Sequence, residues 1–219
     1  MSDVTITVRG DFEERLPAEL GVVRVTVRAE GRDRGDVVER LASLAHPLRA
    51  DLAAREAAGA LERWTSSRAN VWTERPWSAD GTRLDAVHHA SVEITATFTD
   101  PAALSAWVDD LARGDGAQVE DVSWRLTDAT AAAARDRVAA AAVTDAVARA
   151  TAYAAAIGRG TVTPIAIADT GLLSPGPATP APAPMMMRSM AADAGSPGVD
   201  LRPDDVVVTA SVEARFSAI

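Results

Sequence analysis

The chain has 219 residues, with 31 acidic side chains against 22 basic ones and a formal net charge of −9. Every basic residue is arginine, and neither lysine nor cysteine occurs. The composition therefore excludes lysine Schiff bases, P-loop lysines, disulfides, zinc fingers and iron–sulfur sites. A chain this acidic is also poorly suited to nucleic acid or to an anionic membrane, because phosphate contacts need a basic face.

The overall composition is that of a globular protein, with 47% hydrophobic and 24% charged residues. The length permits one or two domains, and we predict a single domain over residues 1–219. No stretch approaches the roughly 18 continuous apolar residues of a membrane-spanning helix. A strand pattern begins almost at once, without the basic and apolar regions of a signal peptide, so the expected location is the cytoplasm.

The first half of the chain combines alternating strand patterns with one long helical pattern. The predicted strands are residues 4–8, 22–29, 61–74 and 90–98. Residues 10–20 are predicted to form a connector, and Asp80-Gly81 is typical of a hairpin turn. A helix is predicted to begin near Asp33 and to be kinked or split by Pro47. Its apolar stripe consists of Val37, Leu41, Leu44, Leu48 and Leu52.

The second half contains two more predicted helices and three more predicted strands. Asp100-Pro101 is typical of a helix start, and Gly114 is expected to end that helix. An alanine-rich helix is predicted over residues 128–157, lying flat on a sheet because its side chains are small. Its apolar face is predicted at Val138, Val143, Val147 and Ile157. The strands are residues 122–126, 161–168 and 206–216, and Pro164 places the second of these at a sheet edge or bulge.

These patterns predict the fold class. The strands alternate apolar and polar residues instead of being apolar throughout, which favours an α+β fold with a mixed, largely antiparallel sheet and helices packed on it. Residues 172–203 are rich in Pro, Ala, Gly and Met and show no period. We predict a flexible loop there, longer than an ordinary connection.

No motif brings together a catalytic set, so we assign no catalytic, cofactor-binding or metal-ligating residue and expect no cofactor. His88 and His89 are neighbours in a predicted strand and would face opposite sides, which disfavours chelation of one metal ion. We expect one of these rings to be half-buried and the other exposed.

Tryptophans and methionines form the predicted interaction surface. Trp64, Trp72 and Trp77 lie on and beside one predicted hairpin, with arginines interleaved. Such residues can stack on single-stranded bases or stabilise a sheet face by cation–π contacts, but the net acidity favours a protein–protein surface. The predicted loop contributes Met185, Met186, Met187 and Met190. These thioethers could bind Cu(I), pack on a neighbouring subunit, or be incidental.

Several segments, taken in order, resemble the SIMPL domain family, also called the oxidative-stress-defence or periplasmic immunogenic protein group. Residues 4–10 (VTITVRG) are similar to the family's opening I-x-V-x-G. Residues 134–158 resemble its long alanine-rich helix, and residues 203–216 resemble its last strand, which a Met/Pro-rich loop often precedes. The resemblance covers nearly the whole chain.

Members of that family are typically exported, and some form large ring-like or channel-like oligomers. The resemblance therefore implies a homo-oligomer or a protein partner, with a link to stress defence, and it supplies no catalytic residues. We expect a non-enzymatic, self-assembling or protein-interaction scaffold. The alternative is a small-ligand or copper-binding protein that uses the Met-rich loop.

Overall fold

The structure is a computed structural model that describes residues 3–173 and 201–219. The strands are β1 (Val4–Leu16), β2 (Leu20–Gly31), β3 (Leu61–Ser66), β4 (Asn70–Glu74), β5 (Val87–Phe98), β6 (Ala117–Arg125), β7 (Val162–Asp169) and β8 (Val206–Ala218). The helices are α1 (Arg34–Ala57), α2 (Pro101–Ala112) and α3 (Asp128–Ala156). Most of the loop predicted at residues 172–203, including Met185, Met186, Met187 and Met190, lies outside the described residues.

The fold is α+β, with helices packed on antiparallel sheets, so the predicted fold class is confirmed. The described strands form two sheets, one in the order β1-β8-β7 and one in the order β3-β5-β2-β6, with β4 also paired to β5. Every strand pair in the described part of the chain is antiparallel. No helix in this part is both long enough and apolar enough to span a bilayer.

The chain divides into two compact units. Unit 1 comprises Met1–Leu16, Leu126–Ala194 and Val206–Ile219, and unit 2 comprises Pro17–Arg125 and Gly195–Asp205. Unit 1 therefore needs both ends of the chain, and unit 2 is inserted between them. The division into two compact units does not decide whether they form one domain. The single domain over residues 1–219 therefore stays a prediction.

Unit 2 is built around β2 and β5, whose alternate residues face two helices. Val23, Val25 and Val27 are fully buried on this face. The helix α1 begins after Asp33, whose carboxylate accepts hydrogen bonds from two backbone N–H groups of the first turn. It runs unbroken through Pro47, so the predicted split is wrong. The predicted stripe does face the core, because its first, second and last residues are buried and the other two pack against them.

Unit 1 pairs the two ends of the chain and packs α3 on them. The ladder runs from Val4 opposite Ala218 to Leu16 opposite Val206, so residues 10–16 belong to β1 and the predicted connector is wrong there. The other edge strand, β7, has a register shift after Pro164, as expected for an edge or bulge.

The buried face of α3 differs in part from the predicted one. It consists of Ala134, Val138, Ala142, Ala146, Ala150 and Ala154, at intervals of four residues. Val147 and Ile157 are exposed, so the predicted face is wrong at these two residues, whereas Val138 is buried and Val143 packs partly buried against the core. The reason is close approach, because a β-carbon added to Gly10 of β1 would lie 2.0 Å from the carbonyl oxygen of Ala142. Only small side chains fit between surfaces this near.

Candidate functional site

The face of the five-stranded sheet that the helices leave open carries a groove of about 770 Å³. The groove is lined by alternate residues of β2 and β5 and by residues of β4 and the segment before it. Because successive strand residues face opposite sides, the polar members of each alternating pattern line the groove while the apolar members form the core. Its most distinctive members are Arg28, Glu30, Arg68, Asn70, Trp72 and His89.

An aromatic pair forms one wall of this groove. Trp72 and His89 lie opposite each other in the β4–β5 ladder, and their rings stack with centroids 5.2 Å apart and planes 15° apart. The side chain of His89 lies between two carboxylates, with Nδ1 3.6 Å from Glu30 and Nε2 3.8 Å from Glu74. Trp72 remains 41% exposed. The stack therefore fixes the indole and leaves part of it available to a ligand.

A bulge shapes the rim of the groove. Ser66 pairs with Ile94 and Asn70 pairs with Ser91, so three residues of one strand span two residues of β5. The backbone N–H of Ser67 donates to the carbonyl of Glu93, and the N–H of Glu93 donates in return to the Ser67 hydroxyl at 3.0 Å. The predicted strand 61–74 is thus two strands, β3 and β4, on the same side of β5.

The groove is lined by two arginines and two glutamates, and one of each is paired within the sheet. Arg28 binds Glu120 at 2.9 Å, and Arg24 lies 3.8 Å from Glu93. Arg68, which the bulge places at the rim, makes no ion pair with any residue in the described ranges. The Arg28–Glu120 and Arg24–Glu93 pairs are exposed and contribute little to stability. They do, however, leave the groove without a strong net charge.

The SIMPL family model, described as a protein of unknown function (DUF541), matches residues 6–216. The chain belongs to the SIMPL family. The match runs through both units, and it confirms the resemblance found in the sequence. No curated protein matches this SIMPL chain.

The structure does not bring the three predicted tryptophans of the SIMPL chain to one surface. Trp64 lies opposite Ala96 on the helix-covered face and packs, partly buried, against the core of unit 2. Trp72 is on the opposite face, in the groove. Trp77 is exposed in the loop between β4 and β5, with the guanidinium carbon of Arg83 5.2 Å from its ring centroid. The predicted turn at Asp80-Gly81 is confirmed, because Gly81 has a φ of +79° between the bridged Trp77 and Arg83.

The two neighbouring histidines face opposite sides of β5, as predicted. His88 is opposite Thr73, whose hydroxyl lies 2.9 Å from its Nδ1 atom, whereas His89 is opposite Trp72. Both rings are half-buried, so the expectation that one would be exposed is wrong. Within residues 3–173 and 201–219, no three His, Asp or Glu side chains come together as a metal site would require. The predicted methionine site lies outside these residues.

A second exposed feature lies at the β7 edge of unit 1. Ile165 and Ile167, which we call the β7 strip, are 57% and 49% exposed. Asp145 and Val147 flank the buried Ala146 on opposite sides of α3. The backbone N–H of Asp11 in β1 donates to Asp145, so the Asp145 flank faces β1. Because β8 separates β1 from β7, the exposed Val147 lies on the flank toward the β7 strip.

The sequence reading missed Arg28, Glu30, Arg68 and Asn70 as groove residues. Arg28 and Glu30 are in β2, whereas Asn70 is in β4 and Arg68 is in the segment before it, and only the pairing of β2 and β4 with β5 places them together. The alternation of residues 22–30 does show that Arg28 and Glu30 share a face, but it does not show what lies beside them.

Proposed function

We propose that this SIMPL chain self-associates and acts as a protein-interaction scaffold, with the β7 strip as the contact between copies. The observation that carries the proposal is the strip itself. Two large aliphatic side chains are about half exposed on a strand that, among the described residues, has a neighbour on one side only. Exposed apolar residues on an edge strand are a feature that proteins usually cover, and contiguous ones mark interaction surfaces.

Charge favours a second copy as the partner. Residues 162–168 carry no charged side chain, although the whole chain has a formal charge of −9. Two copies therefore repel each other over most of their surface and meet with little electrostatic cost at this strand. A twofold axis through the strip would place the same residues of both copies together, as in most homodimers.

Side-chain packing, more than strand pairing, would form the contact. Pro164 lacks an N–H group, and the register shift beside it interrupts the outer edge of β7. Four half-exposed isoleucines meeting across the axis would contribute about 1 kcal/mol each. A gain of this size only offsets the lower estimates of the free energy lost on association, so neighbouring residues such as Val147 have to contribute and the contact is expected to be weak. The association is therefore expected to depend on concentration.

The test is sedimentation equilibrium over a wide range of protein concentration. The wild type is expected to rise above its monomer mass of 22.8 kDa. The variant with Ile165→Glu and Ile167→Glu is expected to have a lower average mass than the wild type at each concentration, because four carboxylates would meet at the contact.

A matched control adds the same number of charges to unit 2. Val38 and Leu84 are 41% and 48% exposed, so Val38→Glu with Leu84→Glu is a comparable change elsewhere. This control is expected to associate as the wild type does. A wild type at monomer mass throughout, or equal losses in both variants, would contradict the proposal. Far-UV circular dichroism of each variant verifies that it is folded.

A further inference from the structure

The groove on unit 2 has the features of a site for an uncharged, extended ligand. Trp72 offers an exposed aromatic surface that His89 holds in place. The two arginines and two glutamates that line the groove balance in number, so a charged ligand would find little net attraction. Arg68 and Asn70 at the rim supply hydrogen-bond donors that no ion pair occupies in the described part of the chain.

Proline-rich segments have the complementary chemistry. In a polyproline II helix the proline rings pack on aromatic side chains, and the backbone carbonyls have no internal partner and can accept hydrogen bonds. Such a segment also loses little conformational entropy on binding, because its free form is already extended. The exposed part of Trp72 would receive a proline ring, and Arg68 and Asn70 would donate to the carbonyls.

The chain itself carries a segment of this kind. Residues 174–187 read SPGPATPAPAPMMM, with five prolines and no charged side chain. They fall within residues 174–200, which lie outside the described ranges. The uncharged sequence matches a groove whose lining has equal numbers of arginines and glutamates.

The chain on either side of these residues is fixed at a defined place. In unit 1, Glu213 accepts from the N–H of Leu173 at 3.3 Å, and Arg215 donates to the Leu173 carbonyl at 2.7 Å. In unit 2, the N–H of Leu201 donates to the Ser105 hydroxyl at 3.3 Å. The 27 residues between Leu173 and Leu201 would span about 80 Å in polyproline geometry, or about 40 Å out and back. This length is sufficient to reach a neighbouring molecule.

We infer that the groove binds the proline-rich segment, residues 175–184, of a second copy of this chain. The inference rests on the proposed self-association and adds a second contact to it, at a different surface. Trp72 is the central anchor of this contact, and the five prolines are the groups that it recognises.

The first experiment measures binding of a fluorescently labelled peptide with the sequence of residues 174–187. The receptor is the full chain with all five prolines of residues 175–184 replaced by alanine, so that its own segment does not compete. We expect saturable binding by fluorescence anisotropy, and at least about tenfold weaker binding of a peptide with the same five Pro→Ala changes. Equal binding of the two peptides, or no binding of either, would overturn the inference.

The second experiment assigns the site with matched tryptophan variants of this receptor. Trp72→Ala is expected to weaken peptide binding at least about tenfold, as is typical of a central aromatic anchor. Trp77→Ala removes an exposed tryptophan outside the groove and is expected to leave binding unchanged. Trp72→Phe keeps an aromatic ring and should retain part of the affinity, which separates loss of the anchor from loss of the fold. Equal effects of Trp72→Ala and Trp77→Ala would overturn the assignment.

The third experiment asks whether the segment comes from a second copy. Replacing the five prolines in the full chain should lower the average mass at sedimentation equilibrium. If the peptide binds but this replacement leaves the mass unchanged, the segment occupies the groove of its own copy and the second-copy inference is wrong. The variant with Ile165→Glu and Ile167→Glu should bind the peptide normally when its five prolines are replaced as well. Failure of the β7 contact and failure of the groove contact are therefore distinguishable.

Discussion

Replacing Gly10 by alanine should destabilise unit 1 strongly, although the change adds one methyl group. The added β-carbon would lie 2.0 Å from the carbonyl oxygen of Ala142 and 2.6 Å from the nitrogen of Ala146. Both are backbone atoms of α3, so no side-chain rotation can relieve the overlap. The helix would have to move away from β1 by more than 1 Å to restore ordinary contact distances of about 3.4 Å or more.

The expected cost follows from the packing that this movement would disrupt. A gap of 0.5–1 Å removes roughly a quarter to a half of the dispersion energy of each contact across it. The contacts concerned are those of the alanine face of α3 with β1 and β8. Overpacked cores typically lose about 1–3 kcal/mol, and a clash with rigid backbone belongs at the upper end of that range or above it.

The assay is urea unfolding followed by far-UV circular dichroism, together with hydrogen exchange of the α3 amides. Gly10→Ala should lower the free energy of unfolding by about 3 kcal/mol and speed exchange along α3. Gly160→Ala is the matched control in the same unit, because its β-carbon would have no neighbour within 4 Å. That control should change stability by about 0.5 kcal/mol or less. If Gly10→Ala were as stable as Gly160→Ala, the close packing of α3 on β1 would be wrong.

Two further substitutions test local contacts. The pKa of the Glu213 carboxyl lies below its usual value of 4.5. The largest cause is a hydrogen bond from the backbone N–H of Gly171, followed by one from Leu173 and by the nearby charged side chain of Arg9. The stabilising contribution of this carboxyl should therefore be present above about pH 4.5 and be lost as pH falls through the lower folded pKa, so Glu213→Gln should flatten the acid limb of a stability–pH profile. An unchanged acid limb would argue against this role. Asp100 accepts from the N–H of Ala102 at the start of α2, so Asp100→Ala should cost about 1 kcal/mol in urea unfolding while Asp100→Ser should cost much less. Equal losses from the two substitutions would show that the cap is not the cause.

The elements of unit 2 were predictable because their signals are local. The stripe of α1, the Asp100-Pro101 helix start and the alternation of β5 each lie within about a dozen residues of sequence. Pro47 was expected to kink or split the helix, but α1 is not split and carries this residue at an exposed position. Burial of the rest of the stripe outweighs the one hydrogen bond that proline removes.

Unit 1 was harder to predict because its contacts join distant parts of the chain. Residues 10–16 read as a connector since they carry a glycine and several charged side chains, but β8 pairs with all of them. The face of α3 was misjudged for a related reason. Valine is the more hydrophobic residue, yet the approach of Gly10 admits only alanine at the contact.

The candidate site was predicted in part. Trp72 was singled out from sequence, but its stacking partner His89 was considered only together with its neighbour His88. That contact depends on the register of β4 against β5, which a bulge at residues 67–69 sets. One-residue changes of register reverse which side chains share a face, and a bulge is difficult to locate from sequence alone. The cytoplasmic location and the link to stress defence stay predictions.

Self-association through the β7 strip is the central functional claim, and the mass of the protein in solution tests it most directly. Sedimentation equilibrium of the wild type across a wide concentration range should give an average mass that rises above 22.8 kDa. The variant with Ile165→Glu and Ile167→Glu should have a lower average mass than the wild type at each concentration when measured beside it. A wild type that stays monomeric at every concentration would contradict the claim.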